Sequence, residues 1–307
     1  MTFDRTRLGF IALVAAGLVA PYLIYPVFLM KGLCFALFAC AFNLLLGYTG
    51  LLSFGHAAFF GSAAYLSGHV IKELGVPPEV GILIGTLLGL GLGLIFGSLA
   101  IRRQGIYFAM ITLALAQMVF FLCLQIKETG GEDGLQGIPR GRLFGAIDLS
   151  DTLTMYYFVL AVFLIGFFFI YRVVHSPFGQ VLKAIRENEP RAISLGYDTD
   201  RFKLIAFVLS AGLSGLAGAT KALVFQLASL TDVHWQMSGE VVLMALVGGV
   251  GTIYGPLAGA FIIVTMQNYL SGFGSWVTII MGCVFVACVL LFRKGVVGEL
   301  SGLLTRR

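Results

Sequence analysis

A polytopic bundle of membrane-spanning α-helices is the fold this sequence predicts, and three observations predict it. Of its 307 residues 59% are hydrophobic and only 11% are charged, with a mean hydropathy of +0.96. Soluble domains carry roughly 25% charged residues, so a water-soluble fold is excluded. The apolar residues gather into long runs, each near the ~20 residues a helix needs to cross a hydrocarbon core of about 30 Å. The formal net charge is +5, yet the basic residues stand in short stretches between those runs, where they orient a membrane protein; nucleic acid is not expected as a partner.

Taken in order, the runs before the most polar internal stretch are Phe10 to Leu29, Gly32 to Leu46, Leu52 to Ile71, Val80 to Leu99, Ile106 to Ile126 and Tyr156 to Tyr171. The first follows Arg5 and Arg7 without a small-residue cleavage site and reads as a retained span rather than a secretory signal. Arg102 and Arg103 form one basic turn, and Arg172 to Lys203 holds six Lys or Arg against four Asp or Glu. Short loops of this kind stay inside. The stretch Lys127 to Asp151, with five acidic and three basic residues, then falls outside.

Beyond Lys203 the runs are Leu204 to Phe225, Val241 to Leu270 and Trp276 to Phe292. Three crossings would strand Arg293, Lys294, Arg306 and Arg307 on the wrong side. The middle run is interrupted by GGVGTIYGP, Gly248 to Pro256, whose glycines and proline break a helix. Split there, it supplies two short spans sheltered by protein. The expectation is about ten spans, some short or broken, with both termini cytoplasmic. A re-entrant hairpin around GYTGLLSFGHAAFFG in the first half also fits. The five cysteines, Cys34, Cys40, Cys123, Cys283 and Cys288, lie in apolar runs without metal-ligand spacing, and no metal site is expected.

Gly85, Gly89, Gly93 and Gly97 recur every four residues and so share one face, leaving a groove for close approach of another backbone. Ser210, Ser214 and Gly218, beside Ala211, Gly215 and Ala219, repeat the pattern. Such faces serve tight bundling or sliding helices equally.

The loop from His175 to Lys203 contains two short helical patterns, Gln180 to Glu187 and Arg191 to Leu195, the second ended by Gly196. Val181, Leu182 and Ile185 occupy one side of the first, with Lys183, Arg186 and Glu187 largely on others. An amphipathic element of this kind lies at the membrane surface or docks in a groove of a soluble partner.

Several blocks in order resemble the permease subunits, of LivM type, of ABC importers of the high-affinity branched-chain amino acid class. They are NLLLGYTGLLSFGHAAFFGSAAY (Asn43 to Tyr65), GIYFAMITLALAQ (Gly105 to Gln117), TGGEDGLQGIP (Thr129 to Pro139), AIRENEPRAISLGYDTDRFKLIAFVLSAGLSGLAGA (Ala184 to Ala219) and GGVGTIYGPLAGA (Gly248 to Ala260). The resemblance implies an all-α permease fold in a single transmembrane domain over residues 1–307, set in a bacterial inner membrane. It implies a LivH-like permease partner, two cytoplasmic ATPases that carry ATP and Mg2+, and a periplasmic binding protein. No cofactor is expected in this chain. It also implies that residues 173–203 hold the coupling helix, so that Arg186, Glu187, Asn188, Pro190, Arg191, Ala192 and Gly196 are the expected ATPase contacts. TGGEDGLQGIP resembles a segment on the side where the binding protein docks, with Glu132 and Asp133 as an acidic rim.

A zwitterionic substrate needs partners for both charges, because an unpaired charge in low dielectric costs several kcal/mol or more. Helix ends at chain breaks supply such partners. The breaks at Gly47 to Gly55 and Gly248 to Gly255 either line the pathway or are packing kinks. Ser53 and His56 flank the first, and Thr252 and Tyr254 lie in the second. His56 is an interior hydrogen-bonded residue or a proton relay. Glu240 caps a helix or faces the pathway, and Asn43 and Gln117 bridge neighbouring helices or line it.

Nothing marks an enzyme: there is no paired carboxylate, histidine cluster or nucleophile with a base, and no GK[ST] follows the GxG fragments. The readings that stand are a permease subunit of an ATP-driven importer, a urea or short-chain amide permease of the same class, an ion-coupled secondary transporter and a structural assembly subunit.

Overall fold

The computed structural model describes residues 2–126 and 130–270 with scattered positions between 272 and 299, and side chains from Gly9 onward. The side chains of the expected basic flanks Arg5 and Arg7, the residues Arg293, Lys294, Arg306 and Arg307, Lys127 to Thr129, Cys288, and the run Trp276 to Phe292 as a continuous helix lie outside it.

Twelve α-helices order the described chain: α1 (Thr2–Val19), α2 (Pro26–Thr49), α3 (His56–Leu74), α4 (Pro78–Ala100), α5 (Ile106–Gln125), α6 (Thr152–His175), α7 (Pro177–Glu187), α8 (Glu189–Ser194), α9 (Thr199–Phe225), α10 (Leu230–Val233), α11 (Trp235–Gly248) and α12 (Gly255–Leu270). Five of them, α2, α4, α5, α6 and α9, are long and apolar enough to cross a membrane. The others that enter the bundle are shorter or less apolar, as broken spans require.

Two expected boundaries shift. The run Phe10 to Leu29 is not one helix: Pro21 stands in the first turn of a short 3-10 helix from Ala20 to Tyr22, and Pro26 opens α2, because proline fits the first turn of a helix but not its interior. Leu52 to Ile71 is helical only from His56, since residues 50–55 leave the helix after Gly50 takes a left-handed φ of +77°.

Contacts orient the helices. The far end of α3 is held by Lys72, whose Nζ donates to Gln136 O at 3.0 Å. Gln136 belongs to β1 (Leu135–Gln136), which pairs antiparallel with β4 (Leu227–Ala228) just after α9. A second ribbon, β2 (Arg142–Leu143) with β3 (Ile147–Asp148), belongs to the same loop. At the opposite end, the last two turns of α2 meet the α11–α12 turn: Asn43 Nδ2 donates to Thr252 O and its Oδ1 accepts from Gly251 N, both at 2.9 Å. This is the bridging role expected of Asn43.

These ties reveal an inverted repeat. α2 runs to the α7 end of the bundle, the chain doubles back over residues 50–55, and α3 starts within the bundle beside Phe42 and Ser210. α9 runs the other way, turns at Gln226 (φ +54°), and the chain doubles back through α10, so that α11 also starts inside. The two inner starts touch, with Ala57 N donating to Ser238 Oγ at 2.9 Å. Pairs of discontinuous helices related in this way are a recurrent transporter architecture.

The glycine face of α4 seats against α9. A Cβ on Gly85 would stand 2.9 Å from Ala63 O and 3.0 Å from Ala219 Cβ, one on Gly89 2.8 Å from Ala211 O, one on Gly93 2.5 Å from Ala211 Cβ, and one on Gly97 2.7 Å from Leu204. Ala211, Gly215 and Ala219 of α9 form the facing seam, while Ser210 turns to α2, Gly218 to α3, and Ser214 bonds back to Ser210 O. Lipid supplies no hydrophobic drive between helices, so this backbone proximity is what holds the pair. Behind it Phe35, Phe38, Phe42, Phe59, Phe60, Phe96, Phe108 and Phe207 fill the core around His56.

Candidate functional sites: the α7–α8 loop and the α11 cavity

The helical patterns of the polar loop become α7 and α8. Ser176 caps α7 by accepting from Gly179 N, Pro177 fills its first turn, and Asn188 caps α8 by accepting from Arg191 N at 3.1 Å. Leu182 and Ile185 are buried under α7, as its amphipathic pattern requires.

This unit is braced to both halves of the repeat. Arg186 donates from Nη1 to Gly47 O at the end of α2, and its guanidinium also lies against Gly251. Glu189 is held by three groups: Lys203 of α9, whose side chain is only 2% exposed, Thr199 Oγ1 at 3.2 Å, and Gln104 Nε2 at 2.9 Å from the α4–α5 turn. A carboxylate satisfied by an ammonium and two neutral donors makes a fixed joint. Glu189, Lys203 and Gln104 escaped the sequence reading because their partners lie far along the chain or are common surface residue types.

The residues expected to meet an ATPase divide in two. Glu187, Asn188, Pro190, Arg191 and Gly196 are exposed, Gly196 with φ +88° and open space around it. Beside them Ile193, Leu195 and Tyr197 are 56, 68 and 41% exposed, an apolar knob at a polar loop. Ala192 is instead buried inside the loop at 2% exposure, and the Arg186 guanidinium is turned toward α2.

Of the five expected pathway residues, Ser53 and Thr252 hydrogen-bond within their own chain breaks, and His56 is held through one ring nitrogen. Ser53 Oγ accepts from Gly55 N at 3.1 Å. Thr252 Oγ1 donates to Gly249 O at 2.7 Å and accepts from Gly255 N at 3.1 Å, tying the α11–α12 turn. Ser210 Oγ donates to Ala41 O at 2.5 Å, so it accepts from His56 Nε2 at 2.9 Å; the His56 proton therefore sits on Nε2, and its buried Nδ1 has no partner among the described residues. Tyr254 packs its ring on Phe167 and against Gly9.

Glu240 differs. It is the sixth residue of α11, whose N-cap is His234, so the expected cap role is overturned: the helix starts before the apolar run begins. Its side chain lines a cavity of about 380 Å³ with Phe120, Leu230, Thr231, His234, Gln236 and Met237. Gln267 Nε2 of α12 donates to its Oε2 at 2.9 Å.

At the opposite end from α7, His69, Lys72, Glu73, Asp133 and Gln136 line an open cleft of about 740 Å³. Of the acidic rim expected there, Asp133 borders this cleft. Among the described residues no group of His, Cys, Asp or Glu is placed to hold a metal ion, and Cys34, Cys40 and Cys123 are buried outside any disulfide.

Residues 25–291, a stretch that takes in both breaks, the α7–α8 loop and the α11 cavity, match the family described as branched-chain amino acid transport system / permease component. The chain belongs to that family. It is 27% identical over 276 residues to the high-affinity branched-chain amino acid transport system permease protein LivM of Escherichia coli, covering 82% of this chain and 65% of that protein. The LivM protein of Salmonella typhimurium is 26% identical over the same shares. The chain thus spans about 65% of the length of these two relatives. The ribose import permease protein RbsC of Bacillus subtilis is 28% identical over 249 residues, 76% of this chain and 73% of RbsC. No solved structure matches. Family and apolar helices together make this a multi-pass membrane protein of a permease-component family, as the resemblance of its motifs implies.

Proposed function

We propose that this chain is the transmembrane subunit of an ATP-driven importer of leucine, isoleucine and valine, pairing with a homologous LivH-like permease and driven by two cytoplasmic ATPases that bind ATP and Mg2+. A binding protein delivers substrate at the opposite face, over the cleft beside Asp133. α7, α8 and both termini lie in the cytoplasm of a bacterial inner membrane, and this chain carries out no catalysis itself.

The observation that carries this reading is the double bracing of α7–α8. An ATPase can work on membrane helices only through a rigid element polar enough to leave lipid and apolar enough to be gripped. The exposed knob of Ile193, Leu195 and Tyr197 meets the second need. Arg186 and Glu189 pass displacement to α2, α9, the α11–α12 turn and the α4–α5 turn. Motion there shifts the inner starts of α3 and α11, which lie against each other, and alternates the opening of the path.

The relative that imports ribose favours a second reading, a sugar permease; a urea or short-chain amide permease stays with it as an alternative on substrate. Reconstitution with the neighbouring permease, ATPases and binding protein decides among them. Uptake of leucine that requires ATP is expected. Uptake unchanged when the ATPases are omitted would mark an ion-coupled secondary transporter, and uptake of ribose or urea without leucine would reassign the substrate.

A further inference from the structure

The first turns of α11 lie deep in the bundle, since Ser238 meets the start of α3 and His56 beside it bonds to Ser210, near the middle of α9. Yet Thr231, Trp235 and Gln236 are exposed at this level. Polar side chains at such depth do not face lipid; they face water or protein. The cavity they border also contains a carboxylate.

The carboxylate that acts on it from α10 is otherwise engaged. Asp232 pairs with Lys221 at 2.5 Å and caps α10 through Ser229 N. Glu240 has no cation within ion-pair distance among the described residues, and Gln267 occupies only Oε2. Lys31 of α2, the cation that acts on it electrostatically, borders a different cavity, with Tyr25, Phe28, Asn268 and Tyr269. A half-buried carboxylate that lines a cavity and has one neutral donor is poised for a cationic guest.

The remainder of the cavity fits what accompanies that cation. Phe120, Leu230 and Met237 supply apolar wall, and Thr231, His234 and Gln236 supply polar groups at the mouth. Its volume lies within the roughly 300–1,000 Å³ of small-molecule sites.

Building on the importer reading, we propose that this cavity is a transient substrate site within the translocation path, where Glu240 accepts a hydrogen bond from the α-ammonium of an aliphatic amino acid while Phe120, Leu230 and Met237 take its side chain. Glu240 thereby selects a zwitterion over a sugar or urea, neither of which carries an ammonium.

The test uses the complete complex in proteoliposomes, with Glu240→Gln, Glu240→Asp, and Gln236→Cys in a background without the native cysteines. Glu240→Gln should lower leucine uptake by roughly tenfold or more, the effect of losing a charge-assisted hydrogen bond, and Glu240→Asp should restore most of it. Gln236→Cys should react with a membrane-impermeant maleimide, and leucine with ATP should slow the reaction several-fold. Wild-type uptake in Glu240→Gln overturns the proposal. So does a Gln236→Cys that is inert to the reagent or indifferent to leucine, whatever Glu240→Gln does, and this arm decides alone if Glu240→Gln does not assemble. In each of these cases wild-type leucine uptake remains and the importer reading stands; a wild-type complex that moves no amino acid removes both.

Discussion

Arg186 of α7 donates a hydrogen bond to the carbonyl oxygen of Gly47 in the last turns of α2, and the same guanidinium lies against Gly251 in the turn joining α11 to α12. One side chain of the polar loop therefore touches both halves of the inverted repeat. A cation at the C-terminal carbonyls of a helix is also favoured by the helix dipole.

Arg186→Ala should uncouple rather than disassemble. With Glu189 still holding α8, the ATPases should co-purify while leucine uptake per ATP hydrolysed falls by about tenfold, the scale of one charge-assisted hydrogen bond. Uptake and hydrolysis measured in the same proteoliposomes check this; an unchanged ratio would show that the contact transmits nothing.

Gly89→Leu should destabilise the bundle by about 1–3 kcal/mol or more, because even a Cβ there meets Ala211 O at 2.8 Å. Gly91, two residues on, has nothing within 4 Å of its Cβ position. Gly91→Ala should leave the thermal midpoint in detergent unchanged or slightly raised. Equal midpoints for Gly89→Leu and wild type would contradict the seam.

The Lys203–Glu189 pair makes a third test. Lys203→Met alone leaves Glu189 without its cation and should lower unfolding stability by about 3–5 kcal/mol, whereas Lys203→Met with Glu189→Gln should recover much of the loss. Additive losses in this double-mutant cycle would mean that the two groups do not interact.

Acid sensitivity follows from the cap of α6. Asp151 Oδ2 accepts from Thr154 N at 3.0 Å, and chiefly through this backbone hydrogen bond its carboxyl titrates below the usual value. A group depressed in the folded state adds stability above its unfolded pKa and loses it as pH falls through the folded one. Asp151→Ala should therefore lower the midpoint at neutral pH, and the gap to wild type should close below about pH 4, the unfolded carboxylate range. A constant gap across pH would remove the ionised cap from the account.

Much of this architecture was legible in particular residues. The period of Gly85, Gly89, Gly93 and Gly97 marked the α4–α9 seam, Gly248 to Pro256 marked the α11–α12 break, and Leu182 with Ile185 marked the inner face of α7. The break before α3 was legible in Gly47 to Gly55, but the first residue of α3 was hidden because residues 51–55 are as apolar as a helix while lying outside one, and hydropathy does not report backbone conformation. Glu240 looked like a cap because the preceding residues Trp235 to Gly239 are mixed in polarity; a helix opened by His234 requires tertiary shelter that composition does not reveal. The repeat did leave a signal: His56 and His234, Gly61 and Gly239, Pro78 and Pro256, and Gly81 and Gly259 all stand at one common separation. Gly81 and Gly259 occupy matching positions, each where the following helix crosses back over a half-helix, at Ser67 O in one half and Met244 O in the other.

The claim on which the rest depends is that α7 and α8 stand in the cytoplasm, within reach of a motor. Cysteine at Glu187, an exposed position at the end of α7, reads this directly in cells expressing an otherwise cysteine-free chain. A membrane-impermeant maleimide should leave it unmodified in intact cells and modify it fully once the membrane is permeabilised. Full modification in intact cells would place the loop on the outer face and contradict both the orientation and the transmission of force through Arg186.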